Sequence, residues 1–134
     1  MSNKKGFTLV EIMIVVAIIA LLAAIAIPNL LRAKVSANDA LAKGVLRTLS
    51  TACEAFTNAN NGNYPASEAA LLNATPPYIN KAYCGTTLSG FNITCTIAAG
   101  GYTIVATPVT LNQTGSDTFT ITTGGIMTGI TSTP

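Results

Sequence analysis

Residues 6–11, G-F-T-L-V-E, lead directly into the uncharged segment 12–31, an almost unbroken run of Ile, Val, Ala and Leu. Glu11 is the only charged residue in this apolar region, because the nearest charges on either side are Lys5 and Arg32. A carboxylate at membrane depth costs roughly 2.5–3.5 kcal/mol even on insertion scales. Glu11 therefore needs either a position at the membrane surface or a cationic partner.

The apolar segment is long enough to span a membrane. Residues 7–31 number about 25, and about 20 suffice for a hydrocarbon core of about 30 Å. Lys4 and Lys5 favour a cytoplasmic amino end, which would place the rest of the chain outside. Two other interpretations are an ordinary secretory signal, cleaved after the A-I-A of residues 24–26, and a plain single-span anchor. An ordinary signal has no use for a glutamate at the head of its apolar core.

The order of residues at the amino end resembles the class III signal of type IV pilins and their relatives. The similarity rests on two lysines before Gly6, then Phe7, Glu11 and an apolar run interrupted by Pro28. In that family a prepilin peptidase cleaves after the glycine, the new amino terminus is N-methylated, and inner-membrane machinery polymerises the subunits through their helices. The resemblance implies cleavage between Gly6 and Phe7, methylation of Phe7, and assembly roles for Phe7, Glu11 and Pro28.

Cleavage after Gly6 would give Glu11 a cationic partner. The new amino group on Phe7 lies one helical turn from Glu11 on the same face of a helix. Two unit charges about 4 Å apart attract by roughly 4 kcal/mol at an effective dielectric near 20, which can offset the cost of burial. The pair could form within one chain or between neighbouring subunits, and a Glu11 that reaches water at the membrane surface is the alternative.

The helix is predicted to continue beyond the span to about residue 60. Residues spaced alternately three and four apart are typical of a helix face that packs on a core. Here they are Val35, Asn38, Ala42, Val45, Leu49, Ala52 and Phe56. The charged residues cluster on another face, which we expect to meet solvent or neighbouring subunits: Arg32, Asp39, Lys43, Arg47 and Glu54. Pro28 is expected to kink or locally melt the helix.

The second half of the chain is predicted to form a small antiparallel sheet. Segments 91–97, 102–107, 118–122 and 126–130 alternate β-branched or aromatic residues with polar ones, and the glycine pairs at 100–101 and 124–125 indicate hairpin turns. A short helix is expected at 68–72, with Ser67 as its N-cap. The expected fold class is α+β: a pilin fold with a long kinked N-terminal helix packed on a small β-sheet head. Its divisions are a leader at 1–6, a stem at 7–31 and a head at 32–134.

Three cysteines make an odd number for an oxidising compartment. Cys84 and Cys95 enclose a short predicted loop, and a bridge between them would stabilise the head by about 2–3 kcal/mol. This pairing also resembles the carboxyl-terminal disulfide loop of many pilins. Cys53 is then a buried free thiol, although a bridge from Cys53 to either partner stays open.

Composition argues against an enzyme. The 134 residues are 49% hydrophobic and only 9% charged, and histidine is absent. The acidic residues are scattered through the chain at Glu11, Asp39, Glu54, Glu68 and Asp117. They predict no catalytic group, no metal site and no cofactor. Threonine is abundant after Lys81, which could reflect glycosylation, subunit contacts or simply strand propensity.

The resulting hypothesis is a structural subunit of a type IV pilus filament, serving adhesion, motility or surface interaction. Its expected partners are identical subunits, the prepilin peptidase, the assembly machinery and, before assembly, the inner membrane. The alternatives are a major pseudopilin of type II secretion, for which a calcium site would need clustered oxygen ligands, and a DNA-uptake pilin. DNA binding would require a basic surface, which the few cations do not predict, so no nucleic acid is expected.

Overall fold

The computed structural model describes residues 5–130. The first helix, α1, runs from Leu9 to Ala59 and the short α2 from Glu68 to Leu72. Five strands follow, β1 (Thr87–Leu88), β2 (Phe91–Ala98), β3 (Gly101–Pro108), β4 (Thr118–Thr122) and β5 (Ile126–Ile130). The chain divides into two compact units, Met1–Ala33 and Lys34–Pro134.

The first unit contains the apolar part of α1. This helix is long and apolar enough to cross a membrane, and no residue of its most apolar stretch is buried. The backbone stays helical through Pro28. The predicted local melting is therefore not found there, and the predicted kink stays a prediction.

The second unit contains the rest of α1, α2 and the sheet. The five strands lie in the order β1-β2-β3-β4-β5, and every neighbouring pair is antiparallel. The sheet is thus a meander in which each strand pairs with the next along the chain. All four predicted strands and α2 are confirmed, with β2 and β3 slightly longer than predicted.

The two-residue strand β1 was missed by the sequence analysis. It pairs with β2 across a tight turn whose central residues, Ser89 and Gly90, have φ angles of 49° and 78°. Positive φ at both positions is typical of a type I′ hairpin turn. A Ser-Gly pair gives a weak turn signal, and a strand of this length has no alternation to detect.

The core lies between the inner face of the sheet and the head portion of α1. Buried side chains alternate along the strands, as in β3, where Tyr102, Ile104 and Ala106 are buried. On α1 the predicted stripe is partly right, because Ala42, Leu49 and Ala52 are buried whereas Val45 and Phe56 are only partly so. The buried face is rotated toward Leu46, Ser50 and Cys53.

The predicted solvent-facing charged surface of α1 is wrong for three of its five residues. Asp39 and Glu54 accept hydrogen bonds from residues of the second half of the head, and the Lys43 ammonium lies 4.5 Å from the centre of the Phe119 ring. Arg32 and Arg47 are exposed as expected. Because the buried face of α1 is rotated relative to the predicted one, its border falls on Asp39, Lys43 and Glu54.

Candidate processing and assembly segment

The peptide bond between Gly6 and Phe7 lies in exposed, non-helical backbone immediately before α1. Nothing lies within 4 Å of the position that a Cβ on Gly6 would occupy. Exposed and non-helical segments are the ones that proteases enter most readily. The local structure therefore leaves the predicted cleavage position open to an enzyme.

The side chains of Thr8 and Glu11 cap the start of α1. Glu11 Oε2 accepts hydrogen bonds from the Thr8 backbone N–H at 2.7 Å and from the Thr8 hydroxyl at 2.8 Å. The Glu11 backbone N–H donates in return to Thr8 Oγ1 at 3.2 Å. This reciprocal pattern is a capping box. The T-x-x-E signal was present in the sequence, but the sequence analysis assigned no role to Thr8.

Phe7 and Glu11, which the resemblance singled out together, line one cleft. The cleft has a volume of about 350 Å³, and its other walls are the apolar side chains of Ile12, Ile14 and Val15. While residues 1–6 remain attached, the nitrogen of Phe7 is an uncharged peptide nitrogen. A charge pair with Glu11 would thus require cleavage first, and in the uncleaved chain Thr8 satisfies the carboxylate.

The apolar part of α1 has an exposed surface. Every large apolar side chain from Leu9 to Leu31 is between 44% and 76% exposed. Exposed apolar surface of this extent marks a membrane or protein interface. Pro28 lies within this surface, and the prediction that it takes part in assembly stays a prediction.

Glu54 ties α1 to the turn between β4 and β5. Its Oε1 accepts hydrogen bonds from the Gly124 backbone N–H at 2.8 Å and from the Tyr102 hydroxyl at 2.9 Å. Ser50 Oγ lies 2.7 Å from the same hydroxyl. Because that hydroxyl donates its single proton to Glu54, Ser50 is the donor to Tyr102.

Asp39 makes a second link, to the loop between β3 and β4. It accepts hydrogen bonds from the Ser116 backbone N–H at 3.0 Å and from the Ser116 hydroxyl at 2.6 Å. The neighbouring Asn38 side chain donates to the Thr114 carbonyl at 2.8 Å. We call the two contacts made by Asp39 and Glu54 the polar seam. It joins α1 to Gly124 and Ser116, which lie 70 and 77 residues later in the chain than Glu54 and Asp39.

The cysteines take the arrangement favoured from their spacing. Cys84 and Cys95 form a disulfide with their Cα atoms 5.5 Å apart, and Cys53 is free and buried. Burial, with a smaller contribution from the neighbouring Glu54, raises the pKa of the Cys53 thiol to about 11. Such a thiol is inert at neutral pH.

Within residues 5–130, no three His, Cys, Asp or Glu side chains are grouped so that they could hold a metal ion. Asp117 approaches Asp39 through Ser116, whose hydroxyl contacts both carboxylates. Asp117 Oδ1 is buried and finds no hydrogen-bond partner in that part of the chain.

The chain is similar to several known proteins. The family described as "Prokaryotic N-terminal methylation motif" matches residues 1–27. The Type IV wide pilus major component PilA4 of Thermus thermophilus is 37% identical over 112 residues, which cover 81% of this chain and 85% of the relative. The Type IV major pilin protein PilA of Myxococcus xanthus is 52% identical over 54 residues, 40% of this chain and 24% of the relative.

A Type II secretion system core protein G, from Pseudomonas aeruginosa, is also similar. It is 34% identical over 69 residues, which cover 52% of this chain and 48% of the relative. No solved structure gives a significant match.

A fold of one long, exposed apolar helix continuing into a small β-sheet head defines the class of membrane-inserted subunits that assemble through their helices. The match to the wide pilus component extends through both parts of this fold. The chain belongs to the type IV pilin family.

Proposed function

We propose that the chain is the main structural subunit of a type IV pilus filament. The observation that carries this proposal is the likeness to a wide pilus major component over 81% of the chain, combined with an apolar stem of which no residue in the most apolar stretch is buried. The function is mechanical: the stems pack inside a helical fibre and the heads lie outside. In this proposal the head comprises residues 32–134 and serves adhesion, motility or another surface interaction.

Maturation removes residues 1–6. A prepilin peptidase in the inner membrane cleaves between Gly6 and Phe7, and the new amino group of Phe7 is N-methylated. The match of residues 1–27 to the methylation motif supports this step, as does the exposed, non-helical backbone at Gly6. Before assembly the stem, residues 7–31, holds the subunit in the membrane with its amino end in the cytoplasm.

Assembly exchanges the lipid around the stem for other stems, with the assembly machinery of the inner membrane driving the exchange. Once Phe7 carries a free charge, Glu11 gains a cation with which its carboxylate can pair. In the growing fibre this pair fixes the axial position of each incoming subunit. Pro28 contributes at the other end of the stem, where the missing N–H allows the helix to adapt to its neighbours.

The maturation step is tested by intact mass spectrometry of the native protein. We expect a chain that begins at N-methylated Phe7. A chain beginning at Ile27 would support an ordinary secretory signal, and one beginning at Met1 or Ser2 would support a plain anchor.

The filament itself is tested by electron microscopy of cells with and without the gene, with an antibody to the head as label. We expect long, labelled surface fibres that disappear with the gene. A major pseudopilin of type II secretion is the second candidate, because core protein G relatives match about half of the chain. Loss of protein secretion without loss of surface fibres would favour that candidate.

A further inference from the structure

Strand β5 is an edge of the sheet whose outer side has no partner in the part of the chain that the structure describes. Within the sheet, Thr128 lies opposite Thr120 of β4. The N–H of Thr123, just after β4, donates to β3. Since alternate residues of a strand direct their backbone groups to opposite sides, Thr120 and Thr128 bond each other. Met127 and Gly129 therefore direct their N–H and C=O groups outward, where no described residue bonds to them.

The side chains around β5 also leave this edge open. Ile126 is 63% exposed, and Thr128 and Gly129 are exposed as well. The only atoms within 4 Å of the position that a Cβ on Gly129 would take belong to Phe119 of β4, the strand with which β5 already pairs. The described head thus leaves room for a further strand beside β5.

β5 lacks the features that usually prevent an edge strand from pairing with another molecule. Natural edge strands are protected by lysine, proline, bulges or extreme shortness. β5 has the sequence I-M-T-G-I, without charge or proline, and its register with β4 is unbroken. The head, residues 34–134, has as many cationic as acidic residues, four of each. Since a net charge near zero promotes self-association, electrostatics do not oppose contact between identical heads.

The edge is complementary to itself in one antiparallel register. When two copies of β5 meet about a two-fold axis at Thr128, Met127 of each copy lies opposite Gly129 of the other. All the outward backbone groups are then paired, in two hydrogen-bonded pairs on either side of one non-hydrogen-bonded pair. Met127 lies on the inner face, where it packs against the core of its own head, and Gly129 has no side chain that could collide with it. The two exposed Thr128 side chains meet on the outer face.

The symmetry of this contact joins two different fibres. An interface in which one patch meets the same patch of a second copy is isologous and has a two-fold axis. Subunits of one helical fibre are related by a rotation combined with a rise along the fibre axis, and such an operation is never a two-fold rotation. In a fibre with its heads outside, β5 of one head therefore meets β5 of another head only on a neighbouring fibre.

We propose that pilus fibres of this subunit associate side by side through a β-ladder between β5 of a head on one fibre and β5 of a head on the next, with Thr128 opposite Thr128. The occupant of the edge is a second copy of this chain. This inference rests on the proposed filament function and deepens it, because the surface that a fibre recognises is then another fibre. Five residues a side bury far less surface than a stable dimer requires. Isolated heads therefore stay apart, whereas the repeated contacts along two fibres act together.

The first test changes the charge at the centre of the ladder. Fibres that carry Thr128→Lys or Thr128→Glu are sheared from cells, and their lateral association is measured by low-speed sedimentation and electron microscopy. Because like charges directly opposite each other destabilise a strand pair, each variant alone should leave about a third or less of the unmodified amount of fibre in the pellet. A mixture of the two variants should restore that amount, because lysine then faces glutamate. The matched control Thr103→Lys, exposed on the same face but on the inner strand β3, should sediment like the unmodified fibres.

The second test is disulfide trapping with Thr128→Cys. The two-fold axis places the two thiols at a non-hydrogen-bonded pair, where Cα atoms lie about 4.5 Å apart and can be bridged. Unlabelled and isotope-labelled fibres from separate cultures are mixed and mildly oxidised. We expect covalent dimers without larger multimers on non-reducing gels, and mass spectrometry should find dimers that combine the two labels. Thr103→Cys should stay monomeric.

Each other outcome contradicts the ladder or the function on which it rests. Unmodified fibres that stay dispersed, Thr128→Lys fibres that associate normally, or a mixture that fails to restore association would overturn the ladder while leaving the filament function intact. Dimers that contain only one label would place the contact within a fibre and exclude the two-fold axis. Equal trapping by Thr103→Cys would show random collision. An absence of any fibres from the unmodified chain would instead refute the proposed function.

Discussion

At the scale of single residues, the proposed function gives Glu11 two different partners at two stages. In the uncleaved chain Thr8 satisfies its carboxylate through a capping box, which explains how the glutamate is tolerated at the head of an apolar helix. After the proposed cleavage, the Phe7 amino group would become a competing, charged partner. In this account the cap satisfies the carboxylate until cleavage provides the cation.

This two-partner account predicts different effects for Glu11→Val and Thr8→Ala. Glu11→Val should favour membrane insertion by roughly 2–3 kcal/mol yet abolish filaments, while mass spectrometry still detects cleavage after Gly6. Thr8→Ala removes only the cap, at a cost of about 1 kcal/mol to the helix end, and filaments should persist. Normal fibre abundance in Glu11→Val cells would refute the charge pair. It would favour the alternative in which Glu11 reaches water at the membrane surface.

Cys53 is a second residue whose surroundings predict a measurable behaviour. Burial raises the pKa of its thiol from 9.0 to about 11 in the folded chain. The unfolded chain therefore loses this proton at lower pH than the folded chain. The resulting stabilisation is fully present below about pH 9 and is lost as the pH rises through about 11.

The measurement is urea unfolding of the head fragment, residues 34–134, between pH 8 and pH 11. We expect the free energy of unfolding to fall with pH in the unmodified fragment and to fall less steeply in Cys53→Ala, whose alanine cannot titrate. Below pH 9 the native thiol should also resist alkylation and react only in urea. Parallel pH profiles for the two fragments would contradict the assignment.

At the scale of elements, the polar seam attaches α1 to the loop between β3 and β4 and to the turn between β4 and β5. Strands β4 and β5 are joined by a turn that contains Gly124 and Gly125, and the Gly124 N–H donates to Glu54 on α1. Hydrogen bonds to a charged acceptor contribute about 1.5–3 kcal/mol. Glu54 therefore fixes the edge of the sheet that carries β5.

We accordingly expect Glu54→Gln to destabilise the head fragment by about 1–2 kcal/mol, since the neutral amide accepts weaker hydrogen bonds than the carboxylate. Arg47→Gln, an exposed change two turns earlier on α1, is the matched control and should alter stability by less than about 0.5 kcal/mol. Urea unfolding at pH 7 measures both. Equal effects of the two substitutions would show that the seam contributes nothing specific.

The same elements show what the sequence could predict. Strands β4 and β5 and helix α2 were predicted at their observed bounds, because alternation and glycine turns are local signals. Ser67 occupies the predicted N-cap position of α2, but its side chain makes no capping hydrogen bond. The polar seam could not be found that way. Asp39 and Glu54 bind residues about seventy positions away in the sequence. No local sequence pattern tells whether a charged residue on a helix lies at the border of the buried face or on the face exposed to solvent.

At the scale of the whole molecule, the two units differ in where their stability comes from. Every buried apolar residue of the described chain lies at or after Ala42, so the head has its own core. The stem has none, and its large apolar side chains stay exposed until a membrane or other stems cover them. We therefore expect assembly to depend on the stem and folding to depend on the head.

That separation predicts the behaviour of the head fragment in solution. Residues 34–134 form a compact unit that keeps the core, the disulfide and the polar seam, and they should fold as a soluble monomer. Because the fragment lacks the exposed apolar stem, sedimentation at about 100 μM should give the monomer mass. The mature chain from Phe7, in the same buffer, should require detergent. Filaments or stable oligomers of the fragment would place the main assembly contacts in the head and would contradict the stem-driven account.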